Sequence, residues 1–184
     1  MQNVVKELET RMGGAVDALS RELASVRTGR ASTALLDSIR VDYYGTPTPL
    51  NQMASVSTPD ARTIAIQPWE VGQLKDIEKA ISKSDLGLTP TNDGKLIRLT
   101  MPTPTEERRK QLVKSVHKMA EDARVAVRNM RREANDKLKQ MAKDKKVSED
   151  DERRGHDQIQ KATDRFIARV DEVLKKKEQE ILSF

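Results

Sequence analysis

The chain has no cysteine, and among 184 residues only five are aromatic: Tyr43, Tyr44, Trp69, Phe166 and Phe184. Lack of cysteine excludes a disulfide framework, a thiolate metal site and a cysteine nucleophile. Scarcity of aromatics argues against a sheet that stacks single-stranded bases. No apolar run approaches the length of a membrane span, so no membrane role is expected. The opening, MQNVVKELETRM, carries acids and has no apolar core region, unlike a secretory signal. A soluble cytoplasmic protein is the expectation.

Charge is abundant: 34 Lys and Arg stand against 29 Asp and Glu, a net of +5. Its distribution defines three stretches. Residues 1–30 hold five bases and four acids, residues 31–104 seven and eight, and residues 105–184 22 and 17. All seven prolines fall between Pro47 and Pro104. Proline breaks helices, so the outer stretches are free to be helical and the middle is largely not.

In the first stretch Val5, Leu8, Met12, Val16, Leu19, Leu23 and Val26 form one stripe at helical period. Gly29 is the expected stop. The last stretch opens on Thr103-Pro104-Thr105-Glu106, which reads as a capping-box start with Thr103 as N-cap and Pro104 at the first helical position. Its stripe is Leu112, Val116, Met119, Ala123, Val127, Met130, Ala134, Leu138 and Met141. The spacing repeats every 11 residues, the mark of a nearly straight helix. Ser148 before four acids starts another helix, with Ile159, Ala162, Phe166, Val170, Val173, Leu174 and Ile181 inward. The three helices run roughly 38, 60 and 50 Å at 1.5 Å per residue. One narrow apolar face does not stabilise a lone helix. The economical solution is a three-helix bundle over 1–30 and 105–184, with 31–104 inserted. A dimer of separate hairpins competes with it.

The insertion alternates in the manner of strands at 39–43, 53–57, 63–67 and 96–101. A helix is expected at about 69–83 from Val71, Leu74, Ile77 and Ile81. Turns are expected at 45–49, at Pro59-Asp60 and at Asn92-Asp93-Gly94. The expected class is α+β: a long helical bundle carrying a small β/α/β domain.

Signs of catalysis are nearly lacking. His117 and His156 lie in predicted helices among charges and read as surface histidines. There is no phosphate-cradling glycine loop and no Gly-x-Ser-x-Gly elbow. Asp150-Asp151-Glu152 reads as helix capping, not as a metal site. No enzyme, cofactor or metal is expected.

The basic side says more. At 100° per residue, Arg124, Arg128, Arg131 and Arg132 fall on one face beside the core stripe. Asn135 lies on this face and Glu121 interrupts it. Arg108, Arg109 and Lys110 add charge at the helix start. Arginine suits forked phosphate contacts, and a solvated face paired with acids is the alternative. With few aromatics, a nucleic-acid target would be the backbone and shape of structured RNA. The segment Tyr43-Tyr44-Gly45-Thr46-Pro47-Thr48-Pro49-Leu50 reads equally as a plain turn or as a protein-contact surface.

Six strings then carry a resemblance: RTGRAS at 27–32, YYGTPTPL at 43–50, SDLGL at 84–88, EERRK at 106–110, ARVAVRNMRR at 123–132 and SEDDERR at 148–154. In this order, across nearly the whole chain, they resemble the bacterial ribosome recycling factors. The resemblance implies an L-shaped, tRNA-like monomer. It implies hinges at Arg27, Gly29, Arg30 and Ala31 and at Pro102, Thr103, Pro104 and Thr105. It further implies docking on the large ribosomal subunit, with Arg109, Arg128, Arg131 and Arg132 toward its RNA. Elongation factor G, which hydrolyses the GTP, would act on the second domain, with Tyr43, Tyr44, Thr46, Pro47 and Pro49 as contacts. Splitting of post-termination ribosomes would follow. A helical adaptor or chaperone-like module is the rival reading.

Overall fold

The computed structural model describes residues 1–183; Phe184 lies outside the described residues. Four helices and six strands follow one another along the chain. They are α1 (Gln2–Ser25), β1 (Arg40–Tyr43), β2 (Thr46–Pro49), β3 (Ala54–Asp60), β4 (Thr63–Pro68), α2 (Leu74–Lys83), β5 (Pro90–Asn92), β6 (Ile97–Thr100), α3 (Glu106–Lys143) and α4 (Glu149–Leu182). They form two compact units. Met1–Thr28 with Thr105–Ser183 makes one, and Gly29–Pro104 makes the other.

The first unit is a bundle of α1, α3 and α4 around a single apolar core. Leu8, Met12, Val16, Leu19 and Leu23 of α1 meet Val116, Val127 and Leu138 of α3 and Ile159, Phe166 and Val170 of α4. Glu9 reaches Arg165, and Thr28 reaches Glu180, so α1 and α4 run parallel. α3 runs against both; its Lys137 and Glu133 bond to Glu7 and Arg11 of α1. Burying one stripe per helix against two neighbours satisfies all three at once.

Details at the helix ends depart from the sequence reading. Val4, not Val5, is the first core residue of α1, and Val5 is half-buried. α1 ends at Ser25 on an extended Val26, well before Gly29. The N-cap of α3 is Thr105, not Thr103: its hydroxyl accepts from the Arg108 N–H at 3.1 Å. With Arg108 at the third helical position, no reciprocal carboxylate exists there and the capping box is not formed. Ser148 caps α4 as expected, accepting from the Asp151 N–H at 3.1 Å.

The second unit has its own core, built on Val41, Leu50, Ile64, Ile66, Ile77, Ile81, Ile97 and Leu99. β3, β4, β6 and β5 form one antiparallel sheet in that order, and β1 and β2 form a separate hairpin. The stretch 45–49, expected to be a turn, is mostly strand β2; the turn is Tyr44-Gly45 alone, both at positive φ. Pro47 and Pro49 stand opposite Asp42 and Arg40. Counted outward from a two-residue turn, these are the positions where a backbone N–H would point away from the partner strand. Alternating proline is therefore compatible with pairing. Pro59 likewise sits inside β3 at a bulge, and the turn falls at Ala61-Arg62. α2 starts at Leu74, preceded by a 3-10 turn over Val71–Gln73, which leaves Val71 exposed. The expected Asn92–Gly94 hairpin joins β5 to β6.

Candidate nucleic-acid interface

A 38-residue α3 sets the geometry of the arginines. Residues 124, 128, 131 and 132 fall on its flank toward α4, one to two turns apart, because α3 is unbroken there. Their chemical states differ. Arg124 is only 19 % exposed and is held from two sides. Its Nη2 and Nε donate to Asp171 Oδ1 of α4 at 2.6 and 2.9 Å, and Nη1 donates to Glu121 at 3.0 Å. Burial alone would lower the affinity of this guanidinium for its proton, and the bonds to Asp171 and Glu121 more than reverse that. Glu121 in turn is held below the usual carboxylate range, chiefly by the hydrogen bond from Arg124.

Arg128 is half-buried and shares Glu121 at 3.3 Å. Arg131 donates from Nη1 to the neutral Gln160 Oε1 at 3.2 Å, and its Nε–H is buried with no acceptor among the described residues. Arg109, at the start of α3, has a buried and unmet Nε–H of the same kind. Arg132 is exposed and has no carboxylate partner among the described residues. The flank thus divides into a neutralised upper part at Arg124 and an uncompensated lower part at Arg131 and Arg132. Asn135 is turned to another task, its Oδ1 lying 2.7 Å from His156 Nδ1.

The histidines differ from the sequence reading in one respect. His117 is exposed beside Glu178 at 3.3 Å, but His156 is half-buried between Asn135 and Glu152. Among the described residues no group of three or more His, Asp or Glu is arranged to hold a metal. Asp150, Asp151 and Glu152 sit in the first turn of α4, where the helix dipole favours them.

The linker residues are anchored close to both ends. Thr28 is buried and donates to Glu180 Oε1 at 2.9 Å, within the bundle. Ala31, three residues on, is buried in the second unit, its N–H bonded to the Ala61 carbonyl at 2.8 Å. Arg27 and Arg30 are exposed. Gly29 has φ +86, and a Cβ there would lie 2.8 Å from Pro104 Cγ. On the return strand Met101 is tied to Arg62, Pro102 and Thr103 are exposed, Pro104 is half-buried, and Thr105 caps α3.

In the second unit Tyr44 protrudes from the β1–β2 turn, 78 % exposed, with its ring edge-on to Tyr43 at 4.6 Å. Both phenols donate to Glu70, at 2.8 Å from Tyr43 and 3.3 Å from Tyr44. The bond to Glu70 raises the Tyr43 phenol above its ordinary value. Thr46 and Pro47 are exposed, and Pro49 is half-buried. Sequence reasoning missed Trp69 and Val71, exposed next to Glu70. A lone tryptophan between Pro68 and Glu70, just past a strand end, was the available signal.

These features define a class: a helical bundle with a basic flank, interrupted by an antiparallel-sheet unit that carries an exposed aromatic patch; among the described residues no helix is long and apolar enough to cross a membrane. Comparison with known proteins is specific. The family model described as ribosome recycling factor matches residues 19–182. The ribosome-recycling factor of Oleidesulfovibrio alaskensis is 61 % identical over 182 residues, covering 99 % of both chains. That of Carboxydothermus hydrogenoformans is 55 % identical over 183 residues, covering 100 % of this chain and 99 % of its own. A solution structure of ribosome recycling factor superposes with a TM-score of 0.68 at 42 % identity, covering 100 % of this chain and 97 % of the other. A second structure, described as models for the T. thermophilus ribosome recycling factor and the E. coli elongation factor G bound to the E. coli post-termination complex, gives 0.60 at 50 % identity and 98 % coverage of both.

The chain belongs to the ribosome recycling factor family. Its place is in protein biosynthesis, at ribosome recycling.

Proposed function

We propose that this protein binds the large ribosomal subunit after termination and, with elongation factor G and GTP, splits the ribosome into subunits. The reading rests on one observation above others: a structure 50 % identical over 98 % of the chain is of a recycling factor with elongation factor G on a post-termination complex. The protein acts in the cytoplasm as a monomer. It catalyses no reaction and holds no cofactor; the translocase hydrolyses the GTP.

In this reading the bundle, 1–30 with 105–184, is the docking body. Arg109, Arg128, Arg131 and Arg132 meet phosphates of ribosomal RNA, and Arg124 braces α3 to α4 beside them. Residues 31–104 are the part on which the translocase acts, through Tyr43, Tyr44, Thr46, Pro47 and Pro49 with Trp69 alongside. Arg27 to Ala31 and Pro102 to Thr105 are the hinge strands. A long stiff bundle transmits force, and a separately folded second unit receives it. The adaptor reading needs an open apolar stripe, and the stripes of α1, α3 and α4 are buried against one another.

Light scattering of post-termination ribosomes tests this. A fall in scattering that requires the protein, a matched elongation factor G and GTP together is expected. No fall with a matched translocase, despite large-subunit binding, would overturn it.

A further inference from the structure

The exposed charges of α4 divide between two flanks. Toward α3 lie Arg153, Asp157, Asp164, Asp171 and Lys175, of mixed sign, and Asp171 binds Arg124. Toward α1 lie Arg154, Lys161, Arg165, Arg169 and Lys176, all exposed. At 100° per residue these five occupy an arc of about 80°, and from Arg154 to Lys176 they extend roughly 33 Å along the axis.

Little neutralises this arc. Between Arg154 and Lys176 its one acid, Glu172, pairs with Lys176 at 3.4 Å. Glu9 of α1 reaches across to Arg165 at 2.6 Å. Arg154, Lys161 and Arg169 have no carboxylate within 4.0 Å among the described residues. Lys161, Arg165 and Arg169 succeed one another at four-residue spacing, the arrangement in which like charges on a helix repel. The guanidinium carbons of Arg165 and Arg169 lie 5.2 and 5.3 Å from the centre of the Phe166 ring, which orients both. The rest of the arc between Arg154 and Lys176 is Gln158, so no apolar side chain interrupts it.

From these observations we infer that this flank of α4 is a second phosphate-binding track, separate from the arginine flank of α3, and that its ligand is the sugar–phosphate backbone of structured RNA. A protein partner would be expected to meet an apolar centre, and this arc has none. Backbone recognition needs only cations at fixed positions on a rigid support. Tracks on two different flanks let one bundle bridge two RNA segments. The inference rests on the reading that the bundle docks on ribosomal RNA.

The experiment compares binding to large subunits and to protein-free large-subunit RNA between about 50 and 200 mM salt. The variants are K161Q/R165Q/R169Q, Arg132→Ala and Glu9→Gln. The triple variant is expected to flatten the salt slope by about two units and to weaken binding about 100-fold near 0.1 M salt. Glu9→Gln frees Arg165 and is expected to steepen the slope by up to one unit. If Arg132→Ala weakens binding while the triple variant leaves affinity and slope unchanged, the α4 track is overturned and the α3 reading stands. If neither changes them, both fail. A loss seen on subunits but not on protein-free RNA assigns the flank to an acidic protein and overturns the inference. Should the triple variant lose its helical melt, Glu9→Gln decides alone, and an unchanged slope overturns the track.

Discussion

The hydroxyl of Thr28 donates to Oε1 of Glu180 at 2.9 Å, tying the chain just beyond α1 to the last turns of α4. Glu180 Oε2 also lies 3.5 Å from the Nζ of Lys177, an ammonium whose side chain is 10 % exposed. One carboxylate thus serves a buried hydroxyl and a nearly buried cation, 152 residues apart in sequence from the first of them. Thr28→Val keeps the shape and removes the donor. A hydrogen bond to a charged group contributes roughly 1.5–3 kcal/mol, so the bundle should melt a few degrees lower. Thr28→Ser should recover most of the loss. Thermal melts followed by helical circular dichroism check both.

Gly29 tolerates a side chain poorly on two counts. It combines φ +86 with a neighbour 2.8 Å from where its Cβ would stand. Left-handed backbone costs an ordinary residue about 1–2 kcal/mol, and the Pro104 ring adds to that. Gly29→Ala should lower stability by at least this amount. Gly45→Ala carries the same backbone penalty with open space around the Cβ, so it should cost less. Denaturant midpoints of the two variants give the comparison.

Arg131 and Arg132 should separate binding from stability. Each Arg→Ala variant should weaken large-subunit binding and flatten its salt slope by about one unit. Neither should lower the melting temperature by much: Arg132 has no ion pair among the described residues, and Arg131 bonds to the neutral Gln160 at 3.2 Å. Arg124→Ala should show the reverse, losing stability through Asp171 and Glu121 with a smaller change in binding. A filter-binding series paired with thermal melts would separate these outcomes.

Acid should loosen both units. Glu121 is held low by its bond from Arg124, Glu7 by its bond from Lys137, and Asp60 and Asp93 by backbone N–H groups. Each carboxyl is depressed in the folded state, so it binds fewer protons there than in the unfolded chain. Its contribution is complete well above the ordinary carboxyl values, 3.8 for Asp and 4.5 for Glu. It is lost as pH falls through the folded values below that. Melting temperature should therefore hold between pH 7 and 5 and drop below about pH 4.5. Glu121→Gln should remove part of that drop.

Long stripes made the bundle legible. A residue such as Val127 or Ile159 recurs in phase over many turns, and only a buried face demands that. Small or polar core members were not legible. Ala120, Gly155, Thr163 and Lys177 are buried because a neighbouring helix covers them, and no single-helix pattern encodes that cover. β2 was hidden by its two prolines, which mark a break unless the pairing register is known. The arginine flank of α3 followed from helical period. The neutralisation of Arg124 did not, because Asp171 belongs to another helix 47 residues away. The patch at Trp69 depends on a hairpin folding back over a strand end, a long-range event with no local signature.

The parallel course of α1 and α4 bears on synthesis. At about 5–20 residues per second, α1 leaves the ribosome many seconds before the helix beside which it comes to lie. All of Gly29–Pro104 emerges in between and can close its own core. Until α3 and α4 arrive, Leu8, Met12, Val16, Leu19 and Leu23 form an apolar ridge with nothing to cover it. The nascent chain is therefore exposed to chaperones and proteases at α1 until α3 and α4 have both been made and close over it.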